Sequence, residues 1–326
     1  MSRPPKTPVN LPPGYFARPA TMDDVPAVTE LLNAAEIAEW GEPDFTESEL
    51  RDDWALYDGD PGKAITLVVA PGGELVGYMA ITDNGSGAIE ADGYAHPGYL
   101  GKGIGTWLIQ ESERMAFDIV SGLPSTQRAT IRSFTAGTNE RALALLDHEG
   151  YNAIRHFWRM EIEFDGQPPA PAWPDGVRVA DARPGVDERG LYDLTEAAFS
   201  EHFELAPQLT FEQWERERKR HGFDPSLWTV VWHGDEMIAC GIGRMTGEGT
   251  GWISLLGVRK DWRGNGLGRG VLLHLFRRFQ ERGVPSVALG VDAANATGAI
   301  RLYESAGMKT VRNFVLFEKT LQEGDL

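Results

Sequence analysis

The sequence predicts a mixed α/β chain built from two tandem copies of one unit, each a mixed β-sheet flanked by helices. Three observations carry this. One order of strands and helices occurs twice along the 326 residues, and such self-similarity marks a repeated fold. The halves are separated by "DGQPPAPAWPDG", Asp165 to Gly176, whose four prolines and sparse apolar content read as a linker. In each half a strand feeds a helix through a run of glycines, the hallmark of a strand–loop–helix–strand crossover. The expected organisation is a flexible tail over 1–14, a first domain over 15–165, a linker over 166–176 and a second domain over 177–326.

The first half opens with a short strand near Phe16–Arg18 and a helix from about Asp23 to Ala38. "AITLVVA" and "ELVGYMAI" are β-rich runs joined by Pro71-Gly72-Gly73, a hairpin signal. A strand over Ala88–Ala95 leads into Gly101–Gly105. A helix, a strand near Ala129–Ser133, a helix from Asn139 and a last strand near Ile154–Glu163 complete the half.

The second half repeats the order. A strand at Val177–Ala180 precedes helices at Glu188–Phe199 and Phe211–Lys219. Strands Leu227–Trp232 and Met237–Met245 flank a His233-Gly234-Asp235 turn, and "GWISLLGV" enters the second glycine run. Val271, Leu272, Leu275, Phe276 and Phe279 then recur at helical spacing. "SVALGV", a helix over Ala296–Ala306 and a strand near Val311–Lys319 close the chain.

Hydrophobic residues make up 42% of the sequence, enough for each half to bury its own core. Net charge is −17, of which residues 1–165 hold −14 and residues 166–326 only −3. A nucleic-acid partner demands a basic surface, so none is expected. No apolar run approaches the roughly 20 residues that span a bilayer, and the proline-rich opening lacks an apolar signal core. Neither a membrane partner nor export is therefore expected. Cys240, the single cysteine, cannot form an internal disulfide, in keeping with a cytoplasmic location. No metal-ligand spacing stands out, and Arg277, Arg278 and Arg282 read as the solvated side of a helix.

"DWRGNGLGRG", Asp261 to Gly270, carries four glycines beside Arg259, Arg263 and Arg269. Glycines at a helix start let an anion approach backbone N–H groups that have no partner within the helix. A P-loop needs Lys and Ser or Thr after its last glycine, and the dinucleotide fingerprint needs G-x-G-x-x-G; neither fits. Arg263-Gly264-Asn265-Gly266-Leu267-Gly268 does match the coenzyme A loop of the GNAT acetyltransferases. Downstream, "NATGAIRLYESAGM", Asn295 to Met308, resembles the second signature of that family. The tandem layout resembles the two-unit type of mycothiol synthase and related actinobacterial acetyltransferases. The resemblance covers about 15–163 and 177–320 and is strong only in the second copy.

The resemblance implies acetyl-CoA as cofactor and direct acetyl transfer to a primary amine. It implies that the strand Ser254–Val258 splays from its neighbour, with Leu256, Gly257 and Val258 beside the pantetheine arm. Gly264 to Gly268 would take the pyrophosphate, Arg263 adding charge-assisted bonds, and Asn295 would contact the arm. Tyr303, four residues before Gly307, stands at the family's acid position; a phenol there can protonate the departing thiolate. The stretch Trp252–Leu256 offers no carboxylate base, which points to a water relay. Glu201, His202 and Glu204 in "FSEHFEL" are candidates for base or acceptor contacts, with Tyr192, His221 and Trp228 weaker ones. His has a suitable ordinary pKa, although the same trio also reads as a solvated helix end.

In the first copy Gly101, Lys102, Gly103 and Gly105 offer a second coenzyme site, but Leu100 replaces the arginine and Leu146 the tyrosine. A leucine has no proton to donate, so the first unit is expected to be degenerate and the second active. Glu36, Glu39, Glu42, Asp44, Glu47, Glu49, Asp52, Asp53, Asp58 and Asp60 crowd the first half with only Arg51 in opposition. They read either as a solvated helix face or as an attraction for a cationic amine. Three readings follow: a small-molecule amine N-acetyltransferase, a mycothiol-synthase-like or protein N-acetyltransferase, and a non-catalytic acyl-CoA-binding module.

Overall fold

The computed structural model describes residues 8–324 except 56, 58, 59, 84, 86, 200–209, 219–222, 247, 248, 296 and 297. In chain order the elements are β1 (Phe16–Pro19), α1 (Val25–Trp40), α2 (Glu47–Ala55), β2 (Ile65–Val69), β3 (Leu75–Asp83), β4 (Ala88–Ala95), α3 (Ile104–Val120), β5 (Ala129–Ala136), α4 (Glu140–His148) and β6 (Asn152–Glu163). They continue with β7 (Val177–Asp181), α5 (Glu188–Phe199), α6 (Phe211–Arg218), β8 (Trp228–His233), β9 (Glu236–Met245), β10 (Gly251–Val258), α7 (Leu267–Gln280), β11 (Ser286–Asp292), α8 (Ala299–Ser305) and β12 (Lys309–Gln322). Helix α2 was not among the expected elements. Its signal is an N-cap threonine: Thr46 Oγ1 accepts from Glu49 N–H at 3.3 Å and donates to Glu49 Oε2 at 2.7 Å.

The chain forms two compact units: unit 1 runs to His156 and resumes at Asn313, and unit 2 is Phe157–Arg312. In unit 1 the strands lie in the order β1-β2-β3-β4-β5-β12, antiparallel except for the parallel pair β4–β5. Unit 2 has the same pattern, β7-β8-β9-β10-β11-β6, with β10–β11 parallel. The units therefore divide differently from the halves expected on either side of the linker. The last strand of each half completes the sheet of the other unit. Val315, Phe317 and Leu321 of β12 lie in the core of unit 1, and Met160 of β6 in that of unit 2.

Charge pairing explains why β12 belongs beside β5. Lys319 Nζ donates to Glu113 Oε1 at 2.6 Å and to the Glu149 carbonyl at 2.8 Å. Glu113 is 1% exposed; burial pushes its carboxyl up and Lys319 opposes that. Removing one partner of such a pair leaves a buried charge uncompensated. Next to it, Glu318 accepts from Arg128 and Arg132, each at 2.8 Å.

The proline-rich segment also packs more than its composition suggests. Phe164 meets Phe276 edge-on at 5.8 Å, Gln280 donates to the Gly166 carbonyl at 2.6 Å, and Trp173 lies against His274 on α7. Among the described residues no helix is long and apolar enough to cross a membrane, and no group of His, Cys, Asp and Glu is placed to hold a metal ion.

Candidate active site

In unit 2, β10 pairs with β11 only at Gly251↔Val287 and Trp252↔Ala288. On its other side it stays paired with β9 as far as Val258↔Ala239, with a bulge between Ile253 and Leu255. A bulge bends a strand and re-aims its edge, so the run Leu255–Val258 parts from β11. Leu256, Gly257 and Val258 lie on this splayed run. Gly257 also faces β9, where its backbone hydrogen-bonds Cys240. That bond opposes burial, which pushes the Cys240 thiol up to about 12 and leaves it inert near neutrality.

After β10 the chain makes a 3-10 turn at Lys260–Trp262 and enters α7 through Gly264 (φ +82°) and Gly266 (φ +80°). A Cβ at either glycine would meet nothing within 4 Å. Their need is conformational, since only glycine adopts these angles freely, and the space above them is open. Gly266 caps α7 without a side-chain hydrogen bond, so the first-turn N–H groups are available to an anion. The other two glycines serve packing: a Cβ at Gly268 would stand 3.2 Å from Leu302 of α8, and one at Gly270 2.7 Å from Trp173. The cradle is thereby held between α8 and the proline-rich segment.

Arg263 also makes hydrogen bonds within the protein. Its NH2 group donates to the Ala198 carbonyl at 2.9 Å and its Nε to the Val258 carbonyl at 3.3 Å. The guanidinium thus ties the loop to the last turn of α5 and the end of β10, where carbonyls attract a cation. Arg259 is held by Asp261 and Glu236. Arg269 is exposed in the first turn of α7, shortly after the open glycines. Asn265 Nδ2 donates to the Trp262 carbonyl at 3.2 Å, and Asn295 is half-buried after β11.

Tyr303, on α8, is 8% exposed. Burial alone pushes its phenol up to about 12, and no hydrogen bond joins its hydroxyl to a described residue. Glu201, His202, Glu204 and His221 lie outside the described residues. Tyr192 of α5 and Trp228 of β8 belong to an aromatic cluster with Phe211 and Trp214 of α6 and Phe223.

Unit 1 reproduces the cradle. Gly101 (φ +77°) and Gly103 (φ +78°) again have open space, and a Gly105 Cβ would meet Leu145 at 3.1 Å, as Gly268 meets Leu302. Lys102 Nζ, however, donates to Tyr15 at 3.3 Å and lies 5.0 Å from the Tyr99 ring centroid. Leu146 is buried on α4.

Glu90, Asp92 and Tyr94, not among the expected site residues, share one face of β4 by strand alternation. The strand before the first glycine loop carries the carboxylates that β10 lacks. The alternating acid-x-acid-x-Tyr in "EADGY" was the available signal. Pairing of β4 with β5 ends at Glu90↔Arg132, so Asp92 and Tyr94 stand where these strands part.

A model of the acetyltransferase (GNAT) family matches residues 25–151 and 189–308, one match in each half. The chain is 30% identical over 295 residues to a mycothiol acetyltransferase of Thermobispora bispora, covering 88% of this chain and 93% of that protein. A mycothiol acetyltransferase of Geodermatophilus obscurus is also 30% identical, covering 87% and 90%. Among solved structures, a GCN5-related N-acetyltransferase from Sphaerobacter thermophilus superposes with a TM-score of 0.86 at 36% identity, over 97% of this chain and 98% of that one. A tandem GNAT protein from the clavulanic acid biosynthesis pathway, at 17% identity, shares the fold with a TM-score of 0.73 over 95% and 100%.

Proposed function

The chain belongs to the GNAT acetyltransferase family and is an acyltransferase that uses acetyl-CoA; from that premise we propose that unit 2 transfers acetyl to a primary amine of a small molecule. The observation that carries this reading is Tyr303, a buried phenol with no hydrogen bond to a described residue, on the helix whose Leu302 touches the glycine cradle.

Open space over Gly264 and Gly266 and the first-turn N–H groups of α7 fit a pyrophosphate, and the splayed run Leu255–Val258 fits the pantetheine arm. When bound, acetyl-CoA supplies an acetyl group activated as a thioester. The residues of the chain do the rest. Arg263 keeps the cradle in register with β10 and α5. The backbone N–H of Leu256 is our candidate donor to developing negative charge, where preorganised donors are most effective. Tyr303 donates the proton needed by the departing sulfur, and its raised pKa keeps that proton on the phenol near neutrality. An alkylammonium has a pKa of about 10 and must lose a proton before attack. With no carboxylate on β10, we assign that step to water, relayed by Glu201, His202 or Glu204. Unit 1 is catalytically silent in this reading, because Leu146 has no proton to give.

The test measures coenzyme A release from acetyl-CoA across a panel of amines for the wild type and Tyr303→Phe. Amine-dependent release that Tyr303→Phe abolishes supports the proposal. If acetyl-CoA binds and no amine or peptide is acetylated, the proposal of an amine acceptor falls. A second reading, transfer to the deacetylated precursor of mycothiol, is favoured by the 30% identity extending across nearly all of both chains. The same panel, with that precursor included, separates the two.

A further inference from the structure

On the face of the unit 2 sheet away from α7, neighbouring strands bring a few side chains together. Ile253, Leu289 and Met160 lie in the core with α7, so by strand alternation Trp252, Gly290 and Arg159 face the other way. Register places them side by side. Trp252 is the last residue of β10 to pair with β11, at Ala288, and Gly290, two residues on, pairs with Arg159 of β6. The Arg159 guanidinium lies 5.6 Å from the centroid of the Trp252 ring. Glu161, two residues along β6, stands 3.9 Å from its Nε, an ion pair too long for a hydrogen bond. Across Trp252 on β9, Arg244 adds a second basic residue to the same face.

Gly290 lies between two strands within the sheet, yet it is exposed. Among the described residues, a Cβ there would meet Trp252 Cζ2 at 3.9 Å, an ordinary contact. Its backbone is regular strand, so neither conformation nor packing demands glycine. A glycine inside a strand weakens it and often marks a place where a ligand approaches closely. Unit 1 differs at the corresponding place. Its last β4–β5 pair is Glu90↔Arg132, and two residues on Phe134 pairs with Leu316. Phenylalanine and leucine stand there where unit 2 has glycine and arginine. The open floor and the cation belong to the unit that carries Tyr303.

This place lies at the start of the gap between β10 and β11, a few residues before Leu256. Arg159 repels an ammonium ion, so another part of the acceptor must meet it while the amine points into the gap. We propose that Arg159, with the Trp252 ring and the open floor at Gly290, binds a carboxylate of the acceptor, which makes the substrate of unit 2 an amino acid rather than a simple alkylamine. The planar guanidinium fork matches a carboxylate, and the indole packs on the acceptor's carbon chain. Glu161 disfavours a doubly charged phosphate in the same place. The substrate assignment rests on the reading that unit 2 acetylates an amine.

Isothermal titration of the full chain loaded with coenzyme A tests the proposal at pH 6.5, below the ordinary α-amino pKa of about 7.7–8.0. The titrants are the common L-amino acids, β-alanine and 4-aminobutyrate, each beside its carboxamide, which keeps the amine and loses the negative charge. At least one acid should bind saturably, about tenfold or more tighter than its amide. Arg159→Gln, shown to be folded by its melting curve, should abolish that difference, and Arg159→Lys should restore part of it. Gly290→Phe should weaken binding of the acid while coenzyme A still binds. No acid bound, equal affinity for acid and amide, or an undiminished preference in folded Arg159→Gln would overturn the site. Coenzyme A release from acetyl-CoA with the bound acid keeps the two readings apart. Acid-selective binding without acetyl transfer would overturn amine transfer by unit 2 and leave the carboxylate site standing.

Discussion

Leu146 of unit 1 and Tyr303 of unit 2 occupy the same structural position. Each is buried on a short helix, and its carbonyl accepts from the backbone N–H five residues on, Tyr151 at 3.0 Å and Met308 at 3.1 Å. Each precedes by four residues a left-handed glycine, Gly150 or Gly307. The neighbouring leucines, Leu145 and Leu302, both seat a cradle glycine. Two copies with one geometry thus differ at the atom that can carry a proton.

Tyr303→Phe removes that proton while keeping the ring that fills the core. A general acid contributes about 10² to 10⁴-fold, so kcat should fall by that order while KM for acetyl-CoA stays within about twofold. Because burial raises this phenol to about 12, the protonated donor survives where an ordinary phenol, near 10, would be lost. The wild-type kcat profile should show no falling limb from Tyr303 between about pH 9 and about pH 10.5.

Gly266→Ala tests the cradle. Its Cβ would meet no protein atom, but φ is +80°, so the strain on folding should be about 1–2 kcal/mol. The new methyl group lies in the space assigned to the pyrophosphate. Coenzyme A affinity should fall more than thermal stability does, which titration calorimetry beside a melting curve would reveal.

Arg263→Ala breaks the tie to Ala198 and Val258. Charge-assisted hydrogen bonds contribute about 1.5–3 kcal/mol each when well made, and the longer one should contribute less. A stability loss of roughly 1–3 kcal/mol is expected, with KM for acetyl-CoA raised. Full stability with a changed KM would instead mean that the guanidinium acts directly on phosphate.

Asp92→Asn should be stabilising at pH 8. The folded carboxyl titrates at about 6 rather than 3.8, raised by burial and then by Glu90. Its favourable contribution is therefore present in full below 3.8 and lost as pH rises through 6. Asparagine does not titrate, so the variant should melt higher than wild type at pH 8, and the gain should vanish below pH 4. Glu90, itself raised, adds to the shift, and Arg132, which interacts with Glu90, should move the midpoint without reversing the sign.

Fragments cut in the proline-rich segment test the strand exchange. A fragment ending at residue 165 lacks β12 and leaves Glu113 buried without Lys319, and the remainder lacks β6. Neither should unfold cooperatively alone. Mixing or co-expressing them should restore a cooperative transition, as followed by circular dichroism.

Much of the site was legible because it rests on local chemistry. Positive φ at a strand–helix junction demands glycine, so Gly264 and Gly266 announce the cradle, and Tyr303 sits at fixed spacing within a short helix. Glu90 and Asp92 were readable in principle from strand alternation, but their meaning depends on a face formed with β3 and α2. Arg263 was legible as a cation at the cradle, but not as a tie to the Ala198 carbonyl, which lies 65 residues away.

By itself the sequence determined the repeat, the order of elements, the family and the contrast between Tyr303 and Leu146. These follow from periodicity, backbone preference and side-chain identity over a few residues. Only the tertiary structure decided which strand completes which sheet, because β12 is chosen by partners such as Glu113, 206 residues from Lys319. It also decided that Arg159 of β6 lies against the Trp252 ring of β10. Strand pairing and burial are properties of residues brought together from far apart, and no local pattern encodes them.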